Sequence, residues 1–440
     1  MADAGPVVLG LDVGTTGTKA VVVDESGAEV GRAAVPTPFT CGERVEMDVD
    51  ALRGCVAEVL GALGGVRARV AGVGVAGLAE SGAPLDRSGR PLAPIVGWHD
   101  PRGQEAVDEL ERRLGPDLEL RIGQRLRPIL TAAKLGWLVE HGLAGAVRWL
   151  GVPELVVHAL TGAEATERSL AARTGCYDVG ALEWMPEVGH VLGFDVSVFP
   201  PIERAGAVVG RTSEAGARWS GLPAGIPVTL AGHDHLTGMV GAGVGPGEVG
   251  NSVGTAETLV ARWATLPDVA AAGPVRVAVT LHPDGESWAA LVSAVRSGVV
   301  LEAAVRRLGL PPAELDAAAA GASPADVGDA VDRLLAGEEA ELDRDRAGEV
   351  WAGLLRALAG RTADAYRRLE QVLGPADKVV VFGGGSVSDP WLKAKEAALP
   401  VPLRRAPVTD AVGRGAALYG GVAAGWWPAP VGAQRGPSQD

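Results

Sequence analysis

The sequence predicts an α/β protein built as two related domains that face each other across a cleft. Three observations carry that expectation. At 440 residues the chain exceeds the size at which a single hydrophobic core keeps growing. Near its start, Gly10-Leu11-Asp12-Val13-Gly14-Thr15-Thr16-Gly17-Thr18-Lys19 lies between the apolar runs Val7 to Leu9 and Ala20 to Val23, the pattern of two antiparallel strands joined by a tight turn. In the second half, Gly247 to Val260 repeats strand, Gly-Thr turn and strand, and such internal repetition is informative even at low identity.

The elements follow in order. Gly14 and Gly17 permit backbone that other residues avoid, so N–H groups and the Thr15 and Thr16 hydroxyls can converge on phosphate oxygens. Asp12 beside them is placed to hold Mg2+, usually through water. A Walker A loop would need Gly-Lys-Ser/Thr opening a helix, whereas here Thr18 separates Gly17 from Lys19 and a strand follows. Asp24 to Gly27 makes a second turn, Ala28 to Val35 returns as a third strand, and Asp50 to Leu63 has the apolar spacing of a helix. Val70 to Gly77 is a buried strand. Its Gly72-x-Gly74-x-x-Gly77 spacing matches a dinucleotide fingerprint with Asp100 as the ribose carboxylate, but the polar hairpin Pro84 to Arg90 stands in place of the required helix.

Pro223 to Pro227 marks a domain boundary, giving an N-terminal domain over 1–225, a C-terminal domain over 226–425 and a flexible tail over 426–440. Val228 to Ala231 is a strand that delivers Asp234 to the start of an apolar helix. Val292 to Leu308 and Val350 to Leu373 are expected as helices, with Ala313 to Arg346 between them lacking strong patterning. Val379 to Phe382 is a strand that runs into Gly383-Gly384-Gly385-Ser386, and Pro390 opens another helix.

Composition narrows the function. With 47% hydrophobic and 21% charged residues the chain is that of an ordinary globular protein. A net charge of −14 argues against a nucleic-acid surface or an anionic-membrane binder, both of which need clustered Lys and Arg. Cys41, Cys55 and Cys176 show no Cys-x-x-Cys and no metal-ligand spacing, so reduced thiols and a cytoplasmic location are expected. Neither a leader peptide pattern nor an apolar run long enough to span a bilayer is evident. The expected partners are small molecules, with a homodimer kept open as an assembly.

Three antiparallel strands, a helix and a further strand is the order of an actin-like domain, the ribonuclease H-like fold of the sugar kinase, Hsp70 and actin superfamily. Over about residues 7 to 425 the chain resembles the FGGY carbohydrate kinase family. The first hairpin corresponds to that family's Asp-x-Gly-Thr-x-x-x-Lys opening, and Trp98-His99-Asp100-Pro101-Arg102 to its Trp-x-Asp-x-Arg segment. Thr166 to Thr174 with Asp178 resembles its Thr-Asp-x-Ser-x-Ala stretch, Ala231-Gly232-His233-Asp234 its Gly-x-x-Asp, and Gly383 to Ser386 with Asp410 to Ala417 its adenosine site.

The resemblance implies transfer of the ATP γ-phosphate to a hydroxyl of a sugar, sugar acid or polyol. It makes Asp234 the catalytic base and a substrate contact; Glu80, Trp98, Asp100 and Arg102 further substrate contacts; Thr15, Thr16, Gly254 and Thr255 phosphate contacts; Gly384, Gly385 and Asp389 adenosine contacts; and Asp12 with Asp234 the holders of Mg2+. The Trp-x-Asp-x-Arg segment suggests a pentulose such as xylulose. A sugar acid, cyclitol or secondary metabolite is an alternative acceptor, and an actin-fold ATPase or a catalytically silent sugar-binding regulator an alternative class. Ile129, where glycerol kinase places an aromatic contact, argues against glycerol. The helix Trp391 to Ala398 lacks the Gln and Asp often found there, and Leu335 to Glu339 replaces a Gly-Glu-Arg-x-Pro-like segment.

Overall fold

The computed structural model describes residues 5–40, 42–267 and 277–430. Cys41 and the last ten residues of the expected tail therefore lie outside the described residues.

Two six-stranded sheets organise the chain. In the first, Val7–Val13 pairs antiparallel with Gly17–Val23, which pairs with Glu29–Pro36; on its other side Val7–Val13 runs parallel to Val70–Gly77, and that strand parallel to Pro227–His233. The second sheet repeats this plan. Glu248–Val253 pairs antiparallel with Glu257–Trp263, that strand with Trp288–Val295, and on its other side Glu248–Val253 runs parallel to Lys378–Phe382, then Leu403–Arg405. The hairpin repeat seen in the sequence is thus one part of a repeated five-strand order.

Each sheet has its own apolar core. Helix Val49–Ala62 puts Leu52, Val56, Val59 and Leu60 into the first core, as its spacing predicts. Helix Ala347–Leu373 puts Trp351, Leu354, Leu358 and Tyr366 into the second. One expected helix is corrected: residues 292–295 belong to strand Trp288–Val295, and the helix is Ser297–Leu308. Val292 faces Leu259 and Val295 faces Glu257 in the ladder, so pairing with the second hairpin overrides an apolar run that suits either state. The weakly patterned stretch holds two short helices, Pro312–Ala319 and Ala330–Ala336.

Two helices join the halves. Strand Pro227–His233 lies in the first sheet, so the division expected at 225/226 separates it from its own ladder; the helix it feeds, Asp234–Gly241, packs Leu236 and Met239 against Val260, Leu291 and Phe382 of the second sheet. The final helix, Ala411–Ala423, crosses the other way and lies on the first sheet, with Ala416 and Tyr419 against Ala76 and Ala231. Beyond it, Trp426 and Trp427, the first two residues of the expected tail, pack near Val8 and Val21.

Two glycines of Val70–Gly77, Gly72 and Gly74, are explained by this final helix, whereas a Cβ on Gly77 would meet the Val13 carbonyl oxygen of the neighbouring strand. A Cβ on Gly74 would fall on the Ala416 carbonyl oxygen, and one on Gly72 would lie 2.6 Å from the Gly420 oxygen. The spacing serves backbone-to-backbone packing of helix on sheet. Gly74→Ala is expected to lower stability by about 1–3 kcal/mol through overpacking, read as a lower urea midpoint. An unchanged midpoint would show that the helix shifts freely. Among the described residues no helix is long and apolar enough to cross a membrane.

Candidate active site

The repeated topology brings both Gly-Thr turns to one cleft of about 770 Å³ between the sheets. The first turn is closed by Gly14 N–H donating to Gly17 C=O at 3.1 Å, and the second by Gly254 N–H donating to Ala256 C=O at 3.1 Å. Thr15, Thr16, Gly254 and Thr255 all line the cleft. Trp98 Nε1 donates to Thr15 Oγ1 at 2.9 Å, which ties the wall of the cleft to the first turn.

Acidic groups gather between the turns. Asp12, on strand Val7–Val13, is buried; Lys19 approaches its Oδ2 at 3.6 Å and reaches Asp410 at 3.4 Å. Burial pushes the Asp12 pKa up, Lys19 opposes this, and the charges of Asp410 and Asp234 add to it, for a value of about 8. Burial works against the Lys19 ammonium, yet Asp12 and Asp410 hold its pKa above the usual lysine value. Asp12 Oδ1 is buried with no hydrogen-bond partner among the described residues. An orphaned carboxylate oxygen beside the carboxylates of Asp410 and Asp234 is a set of hard oxygen donors whose chemistry fits Mg2+.

Asp234 stands at the first position of its helix, where the strand ends. Its Oδ1 accepts from the His235 backbone N–H at 2.6 Å and lies 3.2 Å from His233 Nε2. Burial drives the His233 pKa down to about 3 against the pull of Asp234, so the ring is neutral at physiological pH, and the contact assigns its proton to Nε2. With Oδ1 held twice, Oδ2 is the oxygen left for a ligand. Behind it, Ser169 Oγ accepts from the His233 backbone N–H at 2.9 Å and donates to Glu167 at 2.5 Å. His235 Nδ1 lies 3.0 Å from Ser252 Oγ, a link from this helix to the strand of the second turn. His233, Asp234 and His235 are also a group of potential metal donors, but one nitrogen of each ring is engaged in these contacts.

Glu80 lines the cleft with its backbone in the left-handed region, φ 62°, a conformation non-glycine residues hold only under constraint. The constraint is visible: Arg173 forks onto its Oε1 at 2.7 and 2.5 Å, and Thr131 Oγ1 donates to its carbonyl at 3.2 Å.

Several expected contacts are placed elsewhere. Asp100 and Arg102 do not line the cleft. Their side chains close on each other at 2.7 and 2.8 Å; Asp100 also accepts from Val45 N–H, and Arg102 pairs with Glu46 at 2.7 Å and stacks on Trp137. Lys134 caps the cluster by donating to the Asp100 carbonyl. Gly384 lines the cleft, but Gly385 faces Val253 and the Trp391 ring, and Asp389 is exposed in an ion pair with Arg405. Arg127, Arg173, Lys19, His233, His235, Ser252 and Asp410 line the cleft without having been singled out for a role. Lys19, Arg173, Ser252 and Asp410 all stand inside segments that mark the site; what spacing does not reveal is their partners, which for Arg173 and Ser252 are Glu80 and His235 on other elements.

Residues 7–241 match the model of the N-terminal domain of the FGGY family of carbohydrate kinases, and residues 324–424 that of its C-terminal domain. The chain is 30% identical to an apulose kinase of Pectobacterium atrosepticum (96% of this chain, 90% of the relative) and 27% identical to an L-fuculokinase of Escherichia coli (strain K12), covering 96% and 94%. In fold it is similar to a ligand-bound xylulose kinase from Lactobacillus acidophilus, with a TM-score of 0.82 at 19% identity over 97% of this chain and 91% of that one.

Proposed function

The chain belongs to the FGGY family of carbohydrate kinases, and from that membership we propose that it transfers the γ-phosphate of ATP to a hydroxyl of a small polyhydroxy acceptor. The observation that carries this reading is Asp234: one carboxylate oxygen is fixed by His233 and His235, the other is left to the cleft, and both phosphate-binding turns open onto that cleft.

Asp234 Oδ2 takes the proton of the acceptor hydroxyl as that oxygen attacks. In a loose phosphoryl-transfer transition state the proton moves late, so orientation of the hydroxyl matters more than the strength of the base. His233 holds Oδ1 without being charged itself, and the His235 backbone N–H donates to the same oxygen and fixes the direction of the carboxylate. Thr15, Thr16, Gly254 and Thr255 bind the phosphates through backbone and hydroxyl donors, and Gly384 lets the chain approach the adenosine. Asp12 and Asp234 would hold Mg2+, which supplies charge to offset the phosphates. Closing the cleft excludes water and so limits idle hydrolysis.

At the acceptor end, Glu80 and Arg173 offer fixed acceptors and donors beside the Trp98 wall. Such polar sites reject analogues that lack a hydroxyl more strongly than an apolar wall rejects a methylene. The pentulose expectation rested on three residues, of which only Trp98 faces the cleft.

The test is ADP release from Mg-ATP across ketoses, aldonates, polyols and cyclitols. Stimulation by a subset supports the kinase; hydrolysis that ignores every acceptor would overturn it. Glu80→Gln is expected to raise the acceptor KM by about 10-fold, the scale of a charge-assisted hydrogen bond, with the ATP KM unchanged. An equal change in both KM values would place Glu80 outside the acceptor subsite.

A further inference from the structure

Arg127 is the cation that the acceptor end leaves unmatched. It lies on the segment joining helix Asp117–Arg121 to helix Thr131–Glu140, and it lines the cleft with Glu80, Ile129 and Arg173. Two carboxylates act on it electrostatically, Glu80 and Glu119, and both are already engaged. Glu80 takes the fork of Arg173, and Glu119 accepts from Leu126 N–H at 2.8 Å. Among the described residues Arg127 itself has no side-chain hydrogen bond or ion pair. The Glu80–Arg173 pair closes its own charge, and Asp234 is held by the two histidines beyond it.

A guanidinium offers five donors and no acceptor. A neutral hydroxyl can take one of them and leaves the charge unanswered, whereas a carboxylate or phosphate accepts two in parallel and supplies the opposite charge. Burial and the neighbouring positive charge of Arg173 already weigh against the ionised Arg127, so an anion gains where a neutral ligand does not.

We infer that the acceptor carries an anionic group, a carboxylate or a phosphate, which Arg127 binds at the Glu80–Arg173 end of the cleft while a hydroxyl of the same molecule meets Asp234. This rests on the kinase reading and makes it narrower. The reaction balances as for any hydroxyl acceptor: the acceptor O–H is broken, its oxygen bonds to the γ-phosphorus, the β,γ-bridging oxygen leaves with ADP, and Asp234 takes the proton. Arg127 binds the charge and takes no part in these bond changes.

The experiment measures kcat and KM with Mg-ATP for the wild-type protein, Arg127→Gln and Arg127→Lys over three sets of acceptors: aldonates, sugar phosphates, and uncharged ketoses and polyols. The wild type is expected to prefer a charged set by at least about 10-fold in kcat/KM. Arg127→Gln should raise the KM of that set by about 10–100-fold, the range of a charge-assisted contact, with the ATP KM within about twofold, and Arg127→Lys should recover part of the loss. The set that responds, aldonate or phosphate, identifies the anion. Preference for the uncharged set, or an effect of Arg127→Gln on the ATP KM alone, overturns the inference while leaving the kinase intact. If no acceptor stimulates ADP release, the kinase reading itself fails; calorimetric binding of gluconate or ribulose 5-phosphate that Arg127→Gln abolishes would then still support the anion subsite, and absence of such binding would overturn it too.

Discussion

Asp234→Asn is expected to lower kcat by about 10²- to 10⁴-fold while ATP and acceptor still bind. The amide keeps the shape of the carboxylate and the contacts at its held oxygen: the backbone N–H of His235 at 2.6 Å and His233 Nε2 at 3.2 Å need only an acceptor there. What it loses is the capacity to take a proton at the second atom and one negative charge beside Asp12. These two losses separate experimentally. If the proton matters most, kcat falls at every Mg2+ concentration; if the charge matters most, raising Mg2+ restores the rate. Equilibrium binding of ATP by the variant, followed by calorimetry, checks that the cleft is intact. A variant retaining more than about a tenth of wild-type kcat would remove Asp234 from the role of base.

The parts of this site that were legible in the sequence are those whose chemistry is local. The turn at Gly14 to Gly17 and its repeat at Gly254 are written in adjacent residues, and Asp234 follows closely on the apolar run Val228 to Ala231, which reads as a buried strand. The parts that were not legible depend on where a side chain turns. Trp98, Asp100 and Arg102 stand at alternating positions, yet Trp98 faces the cleft while the other two close on each other, held by Glu46, Val45 and Lys134 from other segments. Spacing cannot express that choice. The glycines of Val70–Gly77 were visible as a pattern, but the partner of Gly72 and Gly74 is the final helix at the other end of the chain. The strand Trp288–Val295 was hidden because its apolar run fits a helix as well, and only the second sheet decides.

The helix Asp389–Ala398 shows the same limit, and its inward face carries the second large effect. The Gln and Asp expected there are absent; Trp391 and Lys395 turn inward instead, and both are buried. Lys395 Nζ donates to Asn251 Oδ1 and to Thr362 Oγ1, each at 3.0 Å, and to Glu257; the Trp391 ring lies 4.7 Å away. Glu257 Oε1 also accepts from Asn251 at 3.1 Å and Thr362 at 2.6 Å. These residues come from both strands of the second hairpin, the long helix and the helix after the glycine-rich turn, so one buried ion pair fixes the frame around Gly254 and Thr255. Burial lowers the Lys395 pKa, and Glu257 opposes the fall. Lys395→Met leaves a buried carboxylate whose other oxygen, Oε2, already has no partner among the described residues. The expected cost is about 3–5 kcal/mol, read as a shift in the urea midpoint and followed by weaker ATP binding. Replacing both members, Lys395→Met with Glu257→Leu, removes the stranded charge and should recover most of the stability. If the double variant is no more stable than Lys395→Met alone, the network stabilises the second domain through packing and hydrogen bonds, and the charge is incidental.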